Sequence, residues 1–155
     1  MHDTFHEIVR LPAAGPAVWS IVDDVPTVLS WISIVHSAAP GADADRYTAV
    51  LQDRLGPFKL RADLRIEVLE RVESRRIRAR AEGEDRQIGS RLVIDVTLDL
   101  SQDEAGTTLT VDGGYEVTGR PAALGAASIR KKAGKVLSEF FASAERALAG
   151  SALRG

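Results

Sequence analysis

GTTLTVDGGYEVTG at residues 106–119 runs almost without a break into PAALGAASIRKKAGKVLSEFFASAERALAG at residues 121–150, and the change of period between the two decides the fold. In the first stretch Leu109, Val111, Gly113, Tyr115 and Val117 are apolar or small, while Thr110, Asp112, Glu116 and Thr118 fill the places between them. That is period 2, a strand with one dry face. In the second, Ile129, Ala133, Val136, Leu137, Phe140, Phe141, Ala144 and Leu148 return at period 3.6. Pro121 suits the first helical turn and Gly150 a C-terminal cap. A helix of about 30 residues is roughly 45 Å long. Only a broad sheet wrapped around it can match that length, and space between the two is expected.

The chain before this segment supplies the sheet. Phe5, Val9 and Leu11 mark a first strand ending at Pro12, and two short helices follow, Ala17–Val22 and one from Pro26 to Ile32. Strand-like alternation then takes over at Tyr47, Ala49 and Leu51, and a turn at Gly56-Pro57 leads to a long strand on Phe58, Leu60, Ala62, Leu64, Ile66 and Val68. Ile77, Ala79, Ala81 and Gly83 make the next strand, then Leu92, Ile94, Val96, Leu98 and Leu100. The intervening positions are charged, as in Lys59, Arg61, Asp63, Arg65 and Glu67, so each strand has one wet face. Turn residues at 82–89 and 102–106 join neighbours as hairpins, which makes the sheet antiparallel. The expected fold is α+β of the helix-grip type: an antiparallel sheet of six or seven strands around a long C-terminal helix, with two short helices after the first strand. Residues 1–150 are read as one domain and 151–155 as a short tail.

Composition narrows the chemistry. A chain of 155 residues can build one substantial core. Its formal net charge of −2 gives no general attraction to nucleic acid, and none is expected as a partner. The absence of cysteine excludes disulfides, thiolate metal sites and cysteine nucleophiles. No G-x-S-x-G, H-E-x-x-H, P-loop or G-x-G-x-x-G is present, and His2, His6 and His36 lack metal-ligand spacing. No catalytic residue, metal or cofactor is therefore assigned. The amino-terminal residues do not resemble a secretory signal and no run approaches 18 apolar residues, so a cytoplasmic protein is expected.

The face turned towards the helix carries the functional reading. Small residues, Ala49, Ala62, Ala79, Ala81, Gly83 and Gly113, are interspersed there among larger aliphatic ones. They fit either close helix packing or an apolar pocket, the usual character of a small-molecule site. Lining such a pocket would be Trp31 from the second helix; Ala49, Leu51 and Asp53; Leu60 and Leu64; Ala79 and Ala81; Ile94 and Val96; and Val111 and Tyr115. From the long helix Gly125, Ile129 and Phe140 would join them. Asp53 and Tyr115 are the polar members, able to orient a ligand by hydrogen bonding. His36 after the second helix is a third acid/base candidate. Glu82, Glu84, Asp85 and Arg86 read as a solvated hairpin turn. Arg130, Lys131, Lys132 and Lys135 form a basic stretch without an acid between Pro121 and Ser138, suited to anionic headgroups or an acidic partner, or an ordinary wet helix face.

These residues carry a resemblance. Val18-Trp19, Tyr47, Leu55-Gly56-Pro57-Phe58-Lys59, Glu82-Gly83, Gly89, Gly106-Thr107-x-Leu109, Gly119, Ala123-x-Gly125, Ile129 and Phe140-Phe141 resemble, in order, the carbon monoxide dehydrogenase G-subunit family of the START-like SRPBCC superfamily. The resemblance implies a helix-grip fold with an apolar cavity. It also implies an accessory role beside molybdenum-hydroxylase-type dehydrogenases, in enzyme maturation, membrane recruitment or quinone-linked electron transfer. Two features depart from the family pattern. Trp31-Ile32-Ser33-Ile34 replaces an Ile-Pro-Gly turn, and the Pro-rich tail and membrane-seeking segment of longer members have no counterpart before Gly155. The leading expectation is a non-catalytic protein that binds a quinone- or lipid-like ligand and serves a dehydrogenase, with peripheral contact at the inner membrane face through Arg130, Lys131, Lys132 and Lys135. The alternative is a polyketide cyclase/aromatase- or hydratase-like enzyme acting in the same cavity through Tyr115, Asp53 or His36.

Overall fold

A computed structural model describes the chain except at residues 56, 88, 120–124 and 155; at residues 55, 58 and 150–154 it describes the backbone alone. The elements in order are β1 (His2–Leu11), α1 (Gly15–Val22), α2 (Val25–Ser30), β2 (Val35–Pro40), β3 (Arg46–Leu55), β4 (Phe58–Val72), β5 (Arg76–Asp85), β6 (Ser90–Asp103), β7 (Gly106–Gly119) and α3 (Ala126–Arg154). The strands form one seven-stranded sheet in the order β1-β7-β6-β5-β4-β3-β2. Every pairing is antiparallel. This is the expected helix-grip architecture.

Alternation places the dry faces together. Ile77 lies opposite Leu98, Leu98 opposite Val111, and Leu100 opposite Leu109, which lies opposite Val9. All of these are buried, while Lys59, Arg61, Asp63, Arg65 and Glu67 on the convex face are exposed as expected. α1 begins on Gly15-Pro16, with proline where a helix needs no amide donor, and buries Val18, Trp19 and Val22. The junction of β1 and α1 is fixed by Thr107, buried on β7, whose hydroxyl donates to the Ala13 carbonyl at 2.7 Å. At Gly113 a Cβ would fall 2.5 Å from the Phe5 ring and 2.3 Å from the Asp95 carbonyl oxygen. The small residue there admits a strand neighbour's ring across the sheet, rather than the helix.

The structure departs from the sequence reading in several elements. β2 is a strand that the sequence does not mark; five of its six residues are exposed, so no alternation reveals it. His36 accordingly lies exposed on a strand, not in a loop. α3 starts at Ala126, so Gly125, with φ +94°, precedes the helix and is exposed; Pro121 lies outside the described residues. α3 also runs past Gly150 to Arg154, through the segment expected as a tail.

Candidate ligand-binding face

The apolar side chains of the concave face gather into two separate clusters. The larger joins β1, α1, the inner ends of β5, β6 and β7, and the C-terminal half of α3; Val9, Val18, Trp31, Ile77, Val111 and Leu148 are among its buried members. The smaller joins α2 to β3 and β4 through Leu29, Ala49, Leu51, Ala62, Leu64 and Ile66. Between them runs a band that belongs to neither: Ala79, Ile94, Tyr115 and Val117 are only half-buried, although the strand phase turns them towards the helix. Val96 and Leu92, on either side of Ile94 in β6, are also half-buried and touch the larger and the smaller cluster respectively. Apolar surface at the centre of a gripped sheet is normally covered, and here it retains access to solvent.

α3 crosses this band and is tied to the sheet on both flanks. Arg130 Nε donates to Asp3 Oδ2 on β1 at 3.1 Å, and Lys132 Nζ stands 2.6 Å from Asp53 Oδ2 on β3. Ile129, 4% exposed, is buried on the same stretch of α3. Two members of the basic stretch thus point to sheet carboxylates, while Lys131 and Lys135 are exposed. Asp53 is half-buried and engaged by Lys132, not a free strand end. Asp3 escaped the sequence reading, yet it shares the phase of Phe5, Val9 and Leu11, which a carboxylate on a dry stripe could have signalled.

Tyr115 stands opposite Ile94 on one side and Asp3 on the other. Burial pushes its phenol above the ordinary tyrosine range; the Asp3 carboxylate adds to the effect and the Arg130 guanidinium partly offsets it. The group therefore stays protonated and can donate. The other tyrosine, Tyr47, donates to the Ala44 carbonyl at 3.2 Å, whereas the Tyr115 hydroxyl has no hydrogen-bond acceptor among the described residues.

The remaining expected lining residues divide by burial. Trp31, Ala49, Leu51, Leu64 and Val111 are packed into the clusters, and Phe140 meets Trp31 edge-on with ring centroids 5.8 Å apart. Leu60, Ala81 and Val96 are half-buried, as are Ala79 and Ile94 of the band. Gly125 is exposed outside the helix, and Gly134, within α3, is also exposed, with nothing within 4 Å of a Cβ built there. Glu82, Glu84 and Asp85, expected in a solvated turn, instead end strand β5, and Asp85 is buried and accepts hydrogen bonds from the Arg61 and Gln87 amides at 2.8 and 3.0 Å. Among the described residues, no three His, Asp or Glu side chains are placed to hold a metal ion, and no helix is long and apolar enough to cross a membrane.

Comparison with known proteins identifies the relatives of this arrangement. Among solved structures, a conserved protein from Geobacillus kaustophilus is similar with a TM-score of 0.80 at 24% identity, over 96% of this chain and 97% of its own. A START superfamily protein from Mycobacterium smegmatis gives 0.66 at 16% identity, over 96% and 97%. The Zhui aromatase/cyclase from Streptomyces sp. R1128 gives 0.67 at 13% identity, over 99% and 95%. At these identities the likeness is one of fold. A search of curated proteins finds no match. The model of the carbon monoxide dehydrogenase G-subunit (CoxG) family matches residues 9–149. With the START-like sheet, the three-part helical pattern and this match in agreement, the chain belongs to the carbon monoxide dehydrogenase G-subunit (CoxG) family.

Proposed function

We propose that the protein holds one apolar molecule, quinone- or lipid-like, between α3 and the concave face of the sheet, and that it does so as a non-catalytic accessory of a molybdenum-hydroxylase-type dehydrogenase. The observation that carries the reading is the half-buried band of Ala79, Ile94, Tyr115 and Val117 between two fully packed clusters. Burying apolar surface contributes roughly 25 cal/mol per Å², so an apolar occupant of that band is favoured over water. Tyr115 supplies one donor to orient an acceptor oxygen on the ligand. The family match supports the dehydrogenase partnership. Peripheral membrane contact, if made by the basic stretch, falls to Lys131 and Lys135, since Arg130 and Lys132 face carboxylates.

The cyclase/aromatase- or hydratase-like alternative needs polar groups converging on a substrate. Asp53 is neutralised by Lys132 and His36 lies exposed on β2, so two of its three candidate groups lend it little support. Solvent extraction of protein purified from its native host, followed by mass spectrometry, tests the binding reading, together with melting in the presence of quinones of increasing chain length. A released apolar compound and a concentration-dependent rise in Tm support it. An empty extract and an unmoved Tm with every quinone sink it.

A further inference from the structure

α3 is held very unequally along its length. In its C-terminal half Phe140, Phe141, Ala144, Ala147 and Leu148 all pack into the larger cluster, and the Phe140 and Phe141 rings meet edge-on at 5.3 Å. The first eight residues, Ala126–Ala133, bury the side chain of Ile129, which belongs to neither cluster. Among the described residues, their polar ties to the sheet are Arg130 to Asp3 and Lys132 to Asp53. The two pairs pull in opposite directions. Asp3 is on β1, the edge strand, and Asp53 is on β3, next to the far edge. Arg130–Asp3 is an exposed pair, weak and salt-screened, and Lys132–Asp53 is the more covered and less screened of the two; neither is backed by apolar packing of the kind that holds the aromatic half. A glycine stands at each end of the segment: Gly125 at φ +94° and Gly134 inside the helix, with open space around it.

We infer that Ala126–Ala133 is a lid over the half-buried band, latched on both flanks by Arg130–Asp3 and Lys132–Asp53 and hinged at Gly134. The inference rests on the apolar-ligand reading and adds to it a route and a control. An apolar molecule reaches Ala79, Ile94 and Tyr115 when the two latches open, and ionic strength sets how often they do. Because the latches close the empty and the filled protein alike, breaking them speeds loading and release together and leaves affinity nearly unchanged.

Stopped-flow release of N-phenyl-1-naphthylamine, a neutral apolar fluorophore, tests this directly. Two weak pairs predict release roughly 2- to 30-fold faster in high salt than in low salt. Salt acting on the hydrophobic contact itself would slow release instead. Asp3→Asn with Asp53→Asn should release at the fast rate in low salt and lose the salt dependence. The exchanged pair, Asp53→Lys with Lys132→Asp, should restore slow, salt-sensitive release. Saturable binding with the same release rate in all salts and variants overturns the lid. If the fluorophore does not bind at all, the ligand reading fails by itself, and hydrogen exchange of the protein alone still judges the lid. Faster, salt-responsive exchange at residues 129–133 than at 141–148 supports it, and equal protection of the two overturns it.

Discussion

Tyr115 brings a phenolic hydroxyl to an otherwise apolar strip and leaves it without an acceptor among the described residues. Its replacement by phenylalanine removes no internal hydrogen bond, so Tyr115→Phe should change unfolding free energy by less than about 0.5 kcal/mol in urea. It should nevertheless weaken binding of a carbonyl-bearing quinone more than that of N-phenyl-1-naphthylamine. The raised phenol also has a pH signature. The folded state prefers the neutral form, so this stability is fully present below the unfolded pKa of about 10 and is lost as pH rises through the folded value. Spectrophotometric titration near 295 nm should find one tyrosine ionising above the ordinary range. Asp85 is the opposite case, a buried carboxylate spent on structure. Asp85→Ala strands the Arg61 and Gln87 amides and should cost about 2–3 kcal/mol by denaturant melts. The sequence presents Asp85 as one more charge in a turn; only its third dimension reveals the two amides that it satisfies.

Long periodic elements are legible in the sequence and short exposed ones are not. β7 and α3 each repeat an apolar position often enough for period 2 and period 3.6 to be told apart; both elements are present, although the ends of α3 differ from those expected. β2 has no dry face, because it closes the edge of the sheet with nothing packed on most of its residues, so it offers no periodicity to read. The candidate lining is legible in phase but not in depth. Alternation assigns Val111 and Ile94 to the same face, yet the first is fully buried in the larger cluster and the second opens to the band. Which of two in-phase residues is covered depends on where the helix crosses, and that is a tertiary fact. The division of α3 makes its own predictions. Leu148→Ala should cost about 2–5 kcal/mol in the cluster. Gly134→Ala, at an exposed helical position with room for a methyl group, should add about 1 kcal/mol of stability and, by stiffening the hinge, slow ligand release.

At the scale of the molecule, a seven-stranded sheet packs the C-terminal half of α3 in one cluster and α2 in another, leaving an apolar strip between. A protein selected only for stability would fill that strip, since each buried methylene contributes about 0.8 kcal/mol. Ala79 is the position at which to fill it: it is half-buried, belongs to neither cluster and lies opposite Val96 and Val68. Fluorescence titration of N-phenyl-1-naphthylamine into the wild-type protein and into Ala79→Phe, with circular dichroism verifying that both are folded, puts the claim to its most direct test. Saturable binding of one molecule by the wild-type protein, lost in the filled variant, is the expected result. Absence of saturable binding in the wild type, or equal binding by both proteins, would contradict it.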